Sequence, residues 1–447
     1  MRGQRVGIAA TVATVAITAG VLVPSATGRG VGSDSFDPAV SANGRYVAFA
    51  TGRGDLGGPL TASGTISNVY VYDRKRKKVQ LVSRQSGGPG GDDDSHSPSI
   101  SANGRYVAFT SDADNLGGPI ETDIANVYVY DRKRKKVQLV SRQSRAAGGA
   151  GGDNDSYQPD ISENGRYVAI RTEALNYGGP VSSVTNIYVY DRKRKRIGLV
   201  SRQSQGAGGA GGNGDSQDPG LSADGRIVSF STYAENLGGP IDPGVKLVYV
   251  YDRKRKKTEL VSRQSRSAGG DGAEVYSSSP GISANGRFVA FITDADNLGG
   301  PTEDVTNVYV YDRKRDKVSL VSRRSRSAGG AGADGNSDFA KVSANGRFVA
   351  FPTEADNLGG PAGDFSNVYV YDRKRKKIQL ISRQSRSAGG DGASAQSDEP
   401  GISGSGRLVV FTTEAENLGG PFIAGFENVY AYDRKQKRVR LISRPSS

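Results

Sequence analysis

The chain of 447 residues contains no cysteine, no tryptophan, one histidine and one methionine. Without cysteine there is no disulfide framework, no thiolate metal site and no thiol nucleophile. With a single histidine, any Ser/His/Asp chemistry rests on His96 alone. That residue sits in a polar D-D-D-S-H-S stretch, with no particular serine singled out. Helical periodicity is missing as well: past the first 30 residues, no window of about 12 keeps apolar residues at helical spacing. No catalytic constellation emerges, and an enzyme is not expected.

Long apolar runs are also absent, with one exception at the start. Arg2 and Arg5 precede the run from Val6 to Val23, and the small residues Ser25, Ala26 and Gly28 follow. This pattern reads as an export signal over residues 1–28, with cleavage near Ala26, although Pro24 fits the small-residue rule poorly. Eighteen apolar residues just reach the length of a membrane span. The run is rich in Thr and Ala, which favours a cleaved leader over an anchor. The mature chain is expected in the periplasm, the cell envelope or the extracellular space, with no transmembrane segment left.

What is present is repetition. The phrase S-x-N-G-R-Y/F-V-A-F recurs with its glycine at Gly44, Gly104, Gly165, Gly225, Gly286, Gly346 and Gly406, a period of 60 or 61 residues. A second phrase, N-V-Y-V-Y-D-R-K-R-K-K, recurs in step, its aspartate at Asp73, Asp131, Asp191, Asp252, Asp312, Asp372 and Asp433. A fixed period that fills the chain decides the architecture before any single residue does.

Each copy carries four strand candidates. In the second copy these are 97–101, 105–111, 126–131 and 137–142. A-N-G makes a tight hairpin between the first two, with glycine supplying a positive φ. Four antiparallel strands per repeat and seven repeats predict an all-β fold, a seven-bladed β-propeller. It spans 34–447, with blades at about 36–84, 96–142, 157–202, 216–263, 278–323, 338–383 and 398–444. Prolines 38, 98, 159, 219, 280 and 400 fall on the innermost strand, whose free edge tolerates a missing N–H; the sixth copy has Ala340. The tyrosine pairs of the third strands, from Tyr70/Tyr72 to Tyr430/Tyr432, are expected in the core between blades with their hydroxyls paired. The repeats run in phase, so the ring should close by packing of blade one on blade seven, without strand exchange.

These phrases resemble the TolB-like propeller repeats of bacteria, a WD40-like family. The matching residues in the second copy are Ser101-Ala102-Asn103-Gly104, Val107-Ala108-Phe109, Asn126 to Asp131 and Leu139-Val140-Ser141. The resemblance covers about residues 34–444. It implies a propeller that serves as an interaction platform. TolB itself has six shorter blades behind an α/β domain, which puts a Tol–Pal partnership in doubt here. The family's Pro and Asp before the glycine are replaced, except that Asp224 keeps the Asp.

Charge is distributed unevenly. Of 60 Lys and Arg residues, 33 lie in seven turns after the third strands: 74–78, 132–136, 192–196, 253–257, 313–317, 373–377 and 434–438. Without these turns the chain would hold 27 cations and 45 acids. Blade topology sends all seven turns to one face of the disc and the acid-rich D-A-D-N and G-G-D-N-D segments to the other. The candidate polyanion-binding residues are Arg74, Lys75, Arg76, Arg132, Lys133, Arg134, Arg192, Lys193, Arg194 and Arg253. Lys254, Arg255, Arg313, Lys314, Arg315, Arg373, Lys374, Arg375, Arg434 and Lys435 complete the set. Seven modest contacts on a rigid ring add avidity. Charged turns are also often merely solvated, and they protect exposed strand edges from pairing.

The expectation is an exported, non-catalytic, monomeric binding scaffold whose partner is an anionic polymer, an anionic surface or an acidic protein. The alternative is a protein–protein scaffold using the Gly/Asp-rich loops of the opposite face. No base-specific nucleic-acid reading is expected, because aromatics do not interleave the basic runs. No cofactor is expected. Ca²⁺ is the one candidate cation, on Asp92-Asp93-Asp94, Asp153-Asn154-Asp155 and Asp112-Ala113-Asp114-Asn115, none of which completes an EF-hand loop. A carboxylate hydrolase or a Ca²⁺-binding propeller is less favoured. Asp160 and Lys341 break the symmetry of the first strands, where other copies have Ala, Ser or Gly.

Overall fold

In every repeat, runs of β-branched and aromatic residues pair in the order in which they occur. The computed structural model describes residues 34–446 apart from 57–65, 180–183, 240–241, 302–304, 362, 364 and 423. The expected leader, 1–28, lies outside them. In the first repeat, Ser35–Val40, Tyr46–Thr51, Asn68–Asp73 and Lys78–Leu81 form one antiparallel sheet in that order. Among the described residues there are seven such four-stranded sheets, each built from consecutive strands. The protein is a seven-bladed all-β propeller.

The middle strands are buried on both faces, which explains why they read as continuous apolar runs. Val107, Phe109, Val127 and Tyr128 are all fully buried, and the Phe109 ring stacks on Tyr128 at 6.0 Å. The tyrosine hydroxyls depart from expectation: those of Tyr128 and Tyr249 find no hydrogen-bond partner within the protein. The rings lie in the core, and the Tyr309 hydroxyl fills the space a Cβ would need at Gly300 of the N-L-G-G-P turn.

The second and third strands of the second copy, Tyr106–Ser111 and Asn126–Asp131, fall where the sequence placed them. The fourth is shorter, Lys136–Leu139, because the Val127 amide is taken by the Ser141 hydroxyl at 3.0 Å rather than by a ladder carbonyl. The first starts two residues earlier, Ser95–Ile100, and carries a bulge at Ser97-Pro98. Every innermost strand bulges there with a left-handed residue ahead of the proline position: Asp37, Ser97, Gln158, Asp218, Ser279, Phe339 and Glu399. In blade six, which has Ala340 instead of proline, the regular strand shrinks to Lys341–Val342.

Closure occurs by packing, as the phase of the repeats requires. Val47, Phe49 and Tyr70 of blade one share a core with Leu408, Val410 and Val429 of blade seven. The seam is stitched by Arg53 Nη1 to the Ser443 carbonyl (2.8 Å), Ser35 N–H to the Glu427 carbonyl (2.9 Å) and Asp37 N–H to Glu399 Oε2 (2.8 Å). Arg53 and Asp55 stand where later blades have Ala and Asn, and they pair with each other at 2.7 Å.

Candidate functional site

All seven basic turns emerge beside the first hairpins, on one face. The third strand ends in an aspartate that pairs with the arginine of the first hairpin: Asp131 accepts the Lys133 and Arg134 amides and a two-pronged ion pair from Arg105 at 2.9 and 2.7 Å. Burial opposes ionisation of this carboxyl, but the arginine fork and the turn amides prevail and hold it below the usual range. The fourth turn residue, Lys135, takes a left-handed conformation (φ 53) to close the loop.

The leading arginines of the candidate set are engaged in contacts within the protein. Arg132 donates to the Gly104 carbonyl at 2.6 Å and to Gln80 of the neighbouring blade at 3.0 Å, and lies 4.4 Å over the Tyr46 ring. Arg192 and Arg253 repeat this over Tyr106 and Tyr167, and Arg373 and Arg434 over Phe288 and Phe348. Arg313 pairs with Glu259 at 2.8 Å, and Arg74 donates to the Gly44 carbonyl at 2.6 Å. Burial draws the Arg132 guanidinium below its ordinary value. The other candidates, Lys75, Arg76, Lys133, Arg134, Lys193, Arg194, Lys254, Arg255, Lys314, Arg315, Lys374, Arg375 and Lys435, are exposed on that face.

The same face is laced at its centre. The tip of each first hairpin donates a backbone N–H to the tip of the next: Ala102 to Glu163, Glu163 to Ala223, Ala223 to Ala284, Ala284 to Ala344, Ala344 to Gly404, and Gly404 to Ala42, at 2.8–3.1 Å. Asn43 N–H to the Ala102 carbonyl, at 3.3 Å, completes the circle. The tips touch: a Cβ at Gly404 would sit 3.2 Å from that of Ala42 and 3.4 Å from that of Ala344. The uniform A-N-G-R and D-R-K-R phrases therefore have a structural explanation.

The seven copies differ from one another on the opposite face, around the channel mouth. The two residues that begin each innermost bulge are Phe36-Asp37, His96-Ser97, Tyr157-Gln158, Gln217-Asp218, Ser278-Ser279, Asp338-Phe339 and Asp398-Glu399. Asp37 accepts the Ser97 amide at 2.9 Å, so these side chains tie one blade to the next. Burial, reinforced by Asp398 and Asp218 and opposed by the Phe339 amide, pushes the Asp338 carboxyl up to about 6. Deeper in the channel, Asp160 bridges its neighbours, accepting from Ser99 Oγ at 2.8 Å and the Leu221 amide at 2.6 Å. Burial raises its pKa; the Lys341 charge works against the rise.

A cleft of about 700 Å³ opens on this face between blades two and three, lined by Asp92, Asp93, Asp112, Asp114, Asp123 and Asp155, with His96 and Tyr157 in its wall. Among the described residues, none of these six acids makes an ion pair with Lys or Arg. Burial pushes the Asp112 carboxyl up, His96 opposes the rise, and Asp93, Asp94 and Asp155 add to it. Several acids of the Ca²⁺ reading act as caps instead. Asp92 accepts the Asn115 amide at 3.3 Å, Asp153 accepts the Leu175 amide at 2.8 Å, and Asp155 accepts the Ala125 amide at 2.8 Å. Among the described residues no group of three or more acidic or histidine side chains is arranged to hold a metal ion. Among them, too, no helix is long and apolar enough to cross a membrane.

No family model matches the chain, and no curated protein matches it. Solved structures do. The β-propeller domain of the Trilobed protease from Pyrococcus furiosus, described as having an open velcro topology, is 12% identical with a TM-score of 0.54, over 92% of this chain and 96% of that one. The oligogalacturonate lyase of Vibrio parahaemolyticus is 10% identical with a TM-score of 0.51, over 90% of each chain. TolB from Acinetobacter baumannii aligns more loosely, at 14% identity and a TM-score of 0.41, over 91% of this chain and 82% of that one. The likeness to the first two shows the β-propeller fold. The expectation of a non-catalytic scaffold is overturned as a reading of the architecture. The same disc serves as a domain of a protease and as a lyase, so its shape does not mark a scaffold on either face.

Proposed function

We propose that the protein binds a small polycationic ligand at the acidic mouth of its channel, and that it does so outside the cytoplasm, as the Arg2-to-Gly28 leader pattern suggests. We also read the repeats as TolB-like, on the strength of their phrases. The observation that carries the binding reading is the cleft between blades two and three, where six carboxylates converge without a paired Lys or Arg among the described residues. A concave site with several like charges and one half-buried acid attracts ligand charge of the opposite sign.

Two further observations support it. An asymmetric ligand needs an asymmetric site, and the copies differ at this mouth while agreeing on the basic face. The net charge of +14 does not prevent cation binding. The basic turns lie a six-residue strand away, roughly 20 Å, against a screening length of about 8 Å at physiological salt.

Calorimetry with spermine, across a salt series, tests the reading. The variant is Asp112→Asn/Asp114→Asn, which removes two charges. Saturable binding that weakens about tenfold in the variant, a loss of about 1.4 kcal/mol, is the expected result. Binding should also weaken as pH falls through the raised Asp112 pKa. No saturable binding, or equal binding by both proteins, would overturn it.

A further inference from the structure

The acidic rim is broken by Gly52 of blade one, by Asn336 and Gln396, and, between blades four and five, by aromatic residues. At the position after the second strand, blades two, three, five, six and seven carry Asp112, Glu173, Asp294, Glu354 and Glu414, but blade four carries Tyr233. Just before the first strand, the copies have Asp34, Asp94, Asp155, Asp215, Asn336 and Gln396, but blade five has Tyr276. Ahead of the third strand, where most copies have Ser, Thr or Ala, blade four has Lys246. These three departures meet in space. The Lys246 ammonium donates to the Tyr276 hydroxyl and to Gln217 Oε1, both at 3.0 Å, and lies 5.1 Å from the Tyr276 ring centre and 5.8 Å from that of Tyr233. Asp218 stands 3.8 Å from the same ammonium.

Lys246 is 3% exposed and fully engaged, so it offers no charge to an anion; it props up the rings. The rings are open: Tyr233 is 38% and Tyr276 37% exposed, beside Val275 at 37%. Their centres are 6.3 Å apart with planes tilted by 58°, and the Tyr276 hydroxyl is held by the buried Lys246. Only five large apolar or aromatic side chains are this exposed among the described residues, and three of them are here. A solvent-facing aromatic pair held by a buried polar prop is costly unless something covers it. The module joins the acidic cleft through consecutive contacts. Tyr157 lines the cleft, and Gln158 beside it accepts the Asp218 amide at 3.5 Å.

We infer that the ligand is an oligosaccharide of amino sugars. One pyranose ring stacks its C–H face on Tyr233 and Tyr276, and its ammonium groups face the carboxylates of the rim. A plain polyamine has no flat face to use the tyrosines, and a neutral sugar has no charge to use the acids. This inference rests on the polycation reading and narrows its chemistry.

The test is calorimetry of the full chain with three probes: a glucosamine oligomer, its N-acetylated equivalent and spermine. The variants are Tyr233→Ser and Tyr233→Phe, with circular dichroism to confirm that each is folded. Tyr233→Ser should weaken the glucosamine oligomer about tenfold and leave spermine unchanged. Tyr233→Phe should retain most of the affinity, because the ring is kept. Equal binding of the oligomer by Tyr233→Ser and the native protein overturns the inference while the spermine result stands for the broader reading. N-acetylated oligomer bound as tightly as the amine form overturns it as well. Absence of spermine binding removes the broader reading on its own.

Discussion

The guanidinium of Arg132 lies 4.4 Å over the ring of Tyr46 in the preceding blade, while Arg45 covers the same ring at 4.8 Å. One aromatic ring is thus flanked by two cations, one holding Asp73 of its own blade and the other reaching across the seam. This arrangement makes the first arginine of each basic turn part of the joint between blades.

Arg132→Ala should therefore destabilise the protein by about 2–3 kcal/mol, through one cation–π contact and two charge-assisted hydrogen bonds. Arg132→Lys should recover little, because an ammonium cannot serve the Gly104 carbonyl and Gln80 together in the same plane. Lys133→Ala, one residue on and exposed, should fall within about 0.5 kcal/mol of the native protein. Urea denaturation of the three variants measures the contrast.

Gly104 has φ 71, and a Cβ there would overlap the Tyr46 ring. Gly104→Ala combines a left-handed backbone with a clash against a packed side chain and should cost about 3 kcal/mol or more. Gly299→Ala, left-handed at φ 78 and ψ 33 with open space around it, should cost only about 1 kcal/mol. A smaller gap than this between the two midpoints would show that the seam yields easily.

Asp131 is held below the ordinary carboxylate range in the folded state despite its burial. A depressed folded pKa contributes stability above the unfolded value of 3.8, and that contribution disappears as pH falls through the folded value. Asp131→Asn should lose about 1–2 kcal/mol at pH 7, a figure discounted because the Arg105 fork is partly solvated. The difference should close as pH falls below 3.8 and through the depressed folded value.

Asp338 has the opposite sign. Its folded pKa of about 6 exceeds the ordinary 3.8, so the folded state holds its proton more tightly and loses stability as pH rises from about 4 through 6. Asp338→Asn removes that penalty and keeps an oxygen to accept the Phe339 amide, which it receives at 2.8 Å. The variant should be more stable by about 1–2 kcal/mol at pH 7 and match the native protein near pH 4. Thermal melts at the two pH values test this.

The ring of blades was legible because its cause is periodic. Val107, Phe109 and Tyr128 recur at fixed offsets, and only stacked sheets bury all of them. The common face of the basic turns followed from strand order alone. Burial of Arg132 was not legible, because nothing in D-R-K-R separates the first arginine from the third; the difference arises from Tyr46, which belongs to another blade. The Lys246 module was partly legible. Tyr233 and Tyr276 depart from the acids of most other copies, but the two lie 43 residues apart and in different blades. Only the fold shows that they share one lysine. Asp160 and Lys341 were recognised as departures from the repeat because they occupy the same place in two first strands.

The circle of amide bonds through Ala102, Glu163, Ala223, Ala284, Ala344 and Gly404 turns the axial channel into a well with a laced floor. A solute too bulky to pass that ring would reach Asp160 and Lys341 from the opposite mouth, past Asp218 and Asp338, and would depart by the same route. Arrival and exit then share one doorway, so crowding at the rim would slow both alike.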